Sequence, residues 1–190
     1  MDINQIIDHI GKLPEASKNT LKEIISEVTY PKGHILFKAD KVETKVYFIK
    51  KGIWRAYYMI DGTESSLWFA GTGEIGFSSW GYVNNEISQV NIESVNKSTA
   101  YCIAKPDLEE LFNSSIELSN FGRKIFEQEI LFIDSYTLSY STPSATERYL
   151  TLMEENPELL QYVPLKHLAS YLYITPQSLS RIRAGLKRRR

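Results

Sequence analysis

One cysteine, three histidines and no long apolar run exclude several common chemistries from this 190-residue chain. Cys102 has no partner for an internal disulfide and supplies too few thiolates for a zinc site or an iron-sulfur cluster, so it reads as a small buried hydrophobe. His9, His34 and His167 lie far apart with no short ligand spacing, which argues against a metal centre. No nucleophile-elbow motif or catalytic constellation is evident, so an enzyme is not expected, although the members of a Ser-His-Asp set need not be neighbours in sequence. Nothing approaches the roughly 18 to 20 consecutive apolar residues of a membrane span. The opening MDINQIIDHIGKLPEA has neither a basic start nor an apolar signal core, and a cytoplasmic protein is expected.

Acid is missing from one end. Up to Glu158, 15 lysines and arginines face 23 carboxylates; from Leu159 onward there are 7 cations and no carboxylate. An acidic body carrying a basic module points to a polyanion, such as nucleic acid, as the module's partner.

Apolar residues at Ile3, Ile6, Ile7 and Ile10, then at Leu21, Ile24, Ile25 and Val28, predict two short helices broken at Gly11–Pro14. Between Pro31 and Pro106 the runs HILF, VYFI, IWRAYYMI, SSLWFA, VNIESV and TAYCIA predict an antiparallel roll, sandwich or barrel. Asp61-Gly62 suits a tight hairpin turn between two of these strands, and Lys51-Gly52 a turn before it. The run Gly71 to Gly76 spells G-x-G-x-x-G, but FSSWGYVNNE does not continue as the helix a dinucleotide fold needs.

After Pro106 a short helix, DLEELF, precedes a longer one from about Ile116 to Ser141, with Leu118, Phe121, Ile125 and Phe132 on one stripe. Phe126, Ile130, Leu131, Ile133 and Leu138 widen the stripe until it needs two partners. These are read as its own β-domain and a second subunit, the alternative being a central core helix in a monomer. Thr142 and Pro143 fit the N-cap and first turn of a helix over TERYLTLMEENPELL.

In the closing segment Leu165, Leu168, Ala169 and Leu172 form one helical face, interrupted at Tyr173-Ile174. Thr175-Pro176 then restarts a helix that buries Leu179, Ile182 and Leu186. This is the pattern of a helix-turn-helix. Its candidate DNA-binding residues are Thr175, Gln177, Ser178, Ser180, Arg181, Lys187 and Arg188. Gln177 suits an adenine edge, Arg181 suits guanine O6 and N7, and the terminal cations suit phosphates.

TERYLTLMEENPELLQYVPLKHLASYLYITPQSLSRIR (146–183) resembles the C-terminal domain of Crp/Fnr-type transcription regulators, and KVYFIKKGIWRAYYMIDGTESSLWFAGTGEIG resembles their cyclic-nucleotide-binding β-roll. The resemblance implies an α+β chain: a β-roll (jelly roll) with flanking helices over 1–113, a dimerisation helix over 114–141 and a helix-turn-helix domain over 142–190, without a following wing. It implies a homodimer that binds double-stranded DNA in a sequence-specific way and leaves RNA polymerase open as a further partner. The alternative reading is a small-ligand sensor whose basic end contacts protein or RNA. Tyr173 stands where the family usually has glycine.

By the same resemblance Gly73, Glu74 and Ile75 begin the effector pocket, with Glu74 on a ribose hydroxyl, and Ser88 and Gln89 lie in the stretch that contacts the cyclic phosphate. The family's phosphate-binding arginine has no counterpart, because no arginine occurs between Arg55 and Arg123. Cyclic AMP is therefore disfavoured, and the roll is expected either to take a different small effector or to serve as a structural and dimerising domain.

Overall fold

In the computed structural model Asp2 opens the first helix, α1 (Ile3–Ile10), by a reciprocal capping box with Gln5. Residues 1–140 and 144–187 are described. After α1 come α2 (Glu15–Glu23), the strands β1 (Ser26–Tyr30), β2 (Ile35–Phe37), β3 (Val46–Lys51), β4 (Trp54–Ile60), β5 (Thr63–Ala70) and β6 (Ile75–Phe77), and a π-helical turn at Trp80–Asn84. Then follow β7 (Asn91–Ser94), β8 (Ser98–Ile103), α3 (Lys105–Ser114), α4 (Ile116–Tyr140), α5 (Ala145–Glu155), α6 (Leu159–Tyr162), α7 (Leu165–Tyr171) and α8 (Pro176–Lys187).

The strands form two antiparallel four-stranded sheets, in the orders β1-β8-β3-β6 and β2-β7-β4-β5. Asp61 and Gly62 both take positive φ, 48° and 78°, as the two-residue turn between β4 and β5 requires. Alternation along β3 serves two cores. Val46 and Phe48 face outward into a layer made by α1–α4, while Tyr47 and Ile49 face inward between the sheets, against Phe37, Trp54, Ala56 and Ile92. The Trp54 indole N–H donates to Ser98 Oγ at 2.9 Å in that inner core. Cys102 is buried there, where desolvation pushes its thiol pKa up, in keeping with an inert side chain.

The second sheet carries its load on the outer face. Ile53, Phe69 and Val95 share a core with Tyr149, Leu152, Leu159, Val163, Leu168, Ala169, Leu172 and Leu179, so the C-terminal helices sit directly on the roll. A bulge in β5 helps. The pairs Ala56–Trp68 and Tyr57–Ser66 leave Leu67 as an extra residue, which lets Leu67 and Trp68 both line the cavity described below while Ser66 and Phe69 face α7.

Several boundaries differ from the sequence expectation. The second helix ends at Glu23, because Ser26–Tyr30 pairs with Ser98–Cys102 as a strand; Val28 is part of that strand. The helix expected over TERYLTLMEENPELL is two, α5 and α6, because Pro157 cannot continue the first. Thr142 and Pro143 lie outside the described residues; the observed cap of α5 is Ser144, in a capping box with Glu147.

Candidate functional site

α7 and α8 are joined by a turn whose geometry follows from its hydrogen bonds. Ile174 N–H donates to Ala169 O at 3.0 Å and Tyr173 N–H to Ser170 O at 3.1 Å, the pair that closes a Schellman motif. That motif puts Tyr173 in the left-handed region, at φ 56°. The missing glycine therefore leaves the turn in place at a cost in backbone strain. Replacing Tyr173 by glycine is expected to stabilise the chain by about 0.5–1 kcal/mol, read from urea unfolding. Arg148 holds the end of α7 by donating to Leu172 O at 2.9 and 3.3 Å.

Thr175 Oγ1 accepts from Ser178 N–H at 3.2 Å and its hydroxyl donates to Ser178 Oγ at 3.0 Å, so both residues are engaged in starting α8. Leu179 is fully buried against α7, which fixes the helix's rotation. Gln177, Ser180, Arg181 and Lys187 are thereby turned to solvent, with Gln177 and Arg181 one turn apart. Arg183, which sequence reasoning passed over, is exposed on the same helix. α8 carries no carboxylate. Arg188 lies outside the described residues.

A cavity of about 650 Å³ opens where β5, β6 and β7 meet α4. Gly73, Glu74 and Ile75 line it, as do Trp68, Phe77, Trp80, Val90, Ile92, Glu129 and Phe132. Ser88 and Gln89 do not, which corrects the sequence expectation. The Ser88 hydroxyl is spent on Val90, donating to its carbonyl at 2.8 Å and accepting from its N–H at 3.1 Å, and Gln89 points to solvent. Among the described residues no lysine or arginine lines it, and the basic side chain there is His9.

The apolar surface of α4 divides between the roll and solvent. Leu118, Phe121 and Ile125 are only 3, 2 and 2% exposed, packed into the layer between α4 and the first sheet, and Phe132 stacks edge-on against Trp68 at 6.4 Å. Among its described residues α4 leaves Ile116, Ile130, Leu131, Ile133 and Leu138 to solvent, Leu131 and Ile133 also bordering the cavity.

The seat of α7 on β4 and β5 contains a buried charge that the sequence reading did not single out. Arg55 is 0% exposed, with Nη2 2.6 Å from Glu64 Oε2, Nε 3.2 Å from Glu93 Oε1, and its guanidinium 4.2 Å over the Tyr57 ring; Nη1 meets His167 Nδ1. The two carboxylates respond differently. Hydrogen bonding to Arg55 lowers the pKa of Glu64, whereas burial dominates at Glu93 and raises it, the Nε contact being an ion pair without hydrogen-bond alignment. Beside them Ser170 Oγ accepts from Ser66 N–H at 3.1 Å and lies 2.8 Å from Ser66 Oγ.

Burial, then the charges of Arg55 and Lys166, depress His167 to about 4. A histidine kept neutral by folding contributes stability that is present above its unfolded pKa of about 6.5 and lost as pH falls toward 4. The raised carboxylates, Glu74, Glu93 and Glu129, pull the other way over part of that range. The difference in unfolding free energy between the wild type and His167→Asn is therefore expected to narrow from pH 7 to pH 5, and a difference independent of pH would contradict this reading.

Among the described residues no group of side chains is arranged to hold a metal ion, and no helix is long and apolar enough to cross a membrane. Residues 27–115 match the cyclic nucleotide-binding domain family. No curated protein sequence is detectably similar. Solved structures are. FixK2 from Bradyrhizobium japonicum superposes with a TM-score of 0.74 at 18% identity, over 87% of this chain and 86% of its own. CLP of Xanthomonas campestris, a c-di-GMP responsive global regulator, gives 0.73 at 16% identity, over 92% of each chain. A protein of Eubacterium rectale described as a transcriptional regulator of the Crp/Fnr family gives 0.67 at 15% identity, over 92% of this chain and 84% of its own. With its two-sheet roll, long helix and basic terminal helices in this order, the chain has the fold of these regulators, and its roll is similar to the cyclic nucleotide-binding domain.

Proposed function

We propose that this protein is a homodimeric, non-enzymatic, sequence-specific DNA-binding regulator of transcription, in which α7 and α8 are a helix-turn-helix and α8 enters the major groove. The observation that carries the reading is the outer face of α8: Gln177, Ser180, Arg181 and Lys187 exposed on a helix without acid, held in one rotation by fully buried Leu179. Gln177 matches the donor and acceptor of adenine, Arg181 the two acceptors of guanine, and Lys187 a phosphate. Dimerisation is assigned to the exposed side of α4, where Leu131 and Leu138 are one heptad apart beside Ile130 and Ile133.

Selection of bound fragments from a random duplex pool tests the reading. The expected product is a palindrome with half-sites about 34 Å apart, bound with steep salt dependence. A protein that contacts RNA or another protein through its basic end would enrich no site.

The roll is assigned a sensing role for an effector other than a cyclic nucleotide. A cyclic phosphate placed in the cavity would meet Glu74 and Glu129 and, among the described residues, no guanidinium or ammonium. Titration calorimetry with cAMP and cGMP is expected to show no binding, and micromolar affinity for either would overturn the assignment.

A further inference from the structure

The cavity that excludes an anion has features that select its opposite. Its walls are largely apolar and aromatic: Trp68 from β5, Phe77 from β6, Trp80 from the π-helical turn and Phe132 from α4. Among the described residues its ionisable side chains are two carboxylates, Glu74 and Glu129, against one imidazole, His9. Glu129 projects from α4 and Glu74 from the turn before β6, and among the described residues no lysine or arginine pairs with either. Glu74 Oε2 accepts from Gly71 N–H. A second cavity of about 230 Å³ shares His9, Gly73 and Glu74 with the first and adds Glu158, and the ammonium of Met1 on its rim is committed to Lys50 O at 2.7 Å.

Enclosure acts on these carboxylates although the cavity admits water. Burial raises Glu74, with the charge of Glu158 adding to the effect, and burial together with the charge of Glu74 pushes Glu129 up to about 7. Glu129 is thus a carboxylate that a bound cation would help to ionise. A cation over an aromatic face gains further from the ring quadrupole, more when desolvated, and four such rings surround the space. The volume is within the roughly 300–1,000 Å³ common for small-molecule sites.

We propose that the cavity binds an organic amine: a protonated nitrogen held by Glu129 and Glu74, with a ring-sized apolar body between Trp68, Phe77, Trp80 and Phe132. This assignment rests on the reading of the roll as a sensor and names the chemical class of its effector. An amine supplies the positive charge that neither Glu74 nor Glu129 obtains from a lysine or arginine among the described residues, while a neutral molecule of the same shape supplies only burial.

The test is calorimetry on the whole protein without DNA, using tryptamine and phenethylamine as amines, tryptophol as the neutral counterpart of tryptamine, and indole-3-acetate as the anionic one. At least one amine is expected to bind; for tryptamine, affinity should exceed that of tryptophol at least tenfold, with indole-3-acetate not detected. Glu129→Gln should weaken tryptamine about tenfold and leave tryptophol unchanged, and Glu74→Gln provides the same comparison through a second residue. The titratable groups facing the site are His9 on α1, Glu74 and Glu129, with Glu158 ahead of α6 and the Met1 ammonium on the adjoining second cavity. Affinity for the amine should rise between pH 6 and pH 8 in the wild type and flatten in Glu129→Gln.

No binding by either amine, equal affinity for tryptamine and tryptophol, or tighter binding of the acid would overturn the proposal. The outcome is separable from DNA binding. Amine binding with no selected duplex would refute the DNA reading alone, and a selected palindrome with no amine binding would refute the effector class alone.

Discussion

Truncating Arg55 to alanine is expected to cost about 3–5 kcal/mol of unfolding free energy, the range for removing one partner from a buried charge cluster. The side chain is completely enclosed and serves Glu64, Glu93 and His167 at once. Its loss leaves Glu93, 19% exposed, beside Glu64 with no cation between them, and it removes the packing over Tyr57. Glu64 still reaches solvent, so most of the penalty falls on Glu93. The deficit should be larger at pH 7 than at pH 5, because Glu93 can escape by protonation. Adding Glu93→Gln to Arg55→Ala should recover part of the loss; if the double variant is as unstable as the simple sum of the single ones, the charges are not coupled. Because His167 belongs to α7, the same variant should also loosen the C-terminal helices from the roll, seen as faster amide exchange across α7.

Arg181→Ala is expected to weaken binding to the selected duplex by about 1–3 kcal/mol for each half-site, hence roughly 2–6 kcal/mol for a symmetric dimer. The loss should be confined to one base position in each half-site, with affinity for random duplex changed far less. Arg181→Lys keeps the charge without the two-pronged geometry and should restore only the sequence-independent part. Lys187→Ala should instead weaken all duplexes alike and reduce the salt slope by about 1. Should Arg181→Ala behave like Lys187→Ala, α8 is bound to DNA in some other orientation.

Local chemistry was readable from the sequence, and non-local pairing was not. The Thr175-Pro176 restart and the Asp61-Gly62 turn depend on neighbours within a few residues, and each has its counterpart in the structure. Val28, by contrast, obeyed the spacing of the preceding helix, and only its pairing opposite Ala100 on β8 makes it a strand residue. On α4 periodicity revealed more apolar surface than one side needs, but not which stripe meets the roll; that is decided by the sheet beneath Leu118, Phe121 and Ile125. Arg55 in a strand reads as an ordinary outward cation, since Glu93 and His167 reach it from other elements. The cavity was misread at Ser88 and Gln89 because a linear match to a family stretch cannot see that a turn around Val90 consumes the hydroxyl.

The irregular position in β5 also defines where chain length can change. Arg55 pairs with Phe69, Ala56 with Trp68 and Tyr57 with Ser66, so a chain shortened by Leu67 alone would run as a regular strand with every one of those partnerships kept. Deletion of Leu67 is thus a way to reshape one wall of the cavity while the seat beneath α7 stays in register.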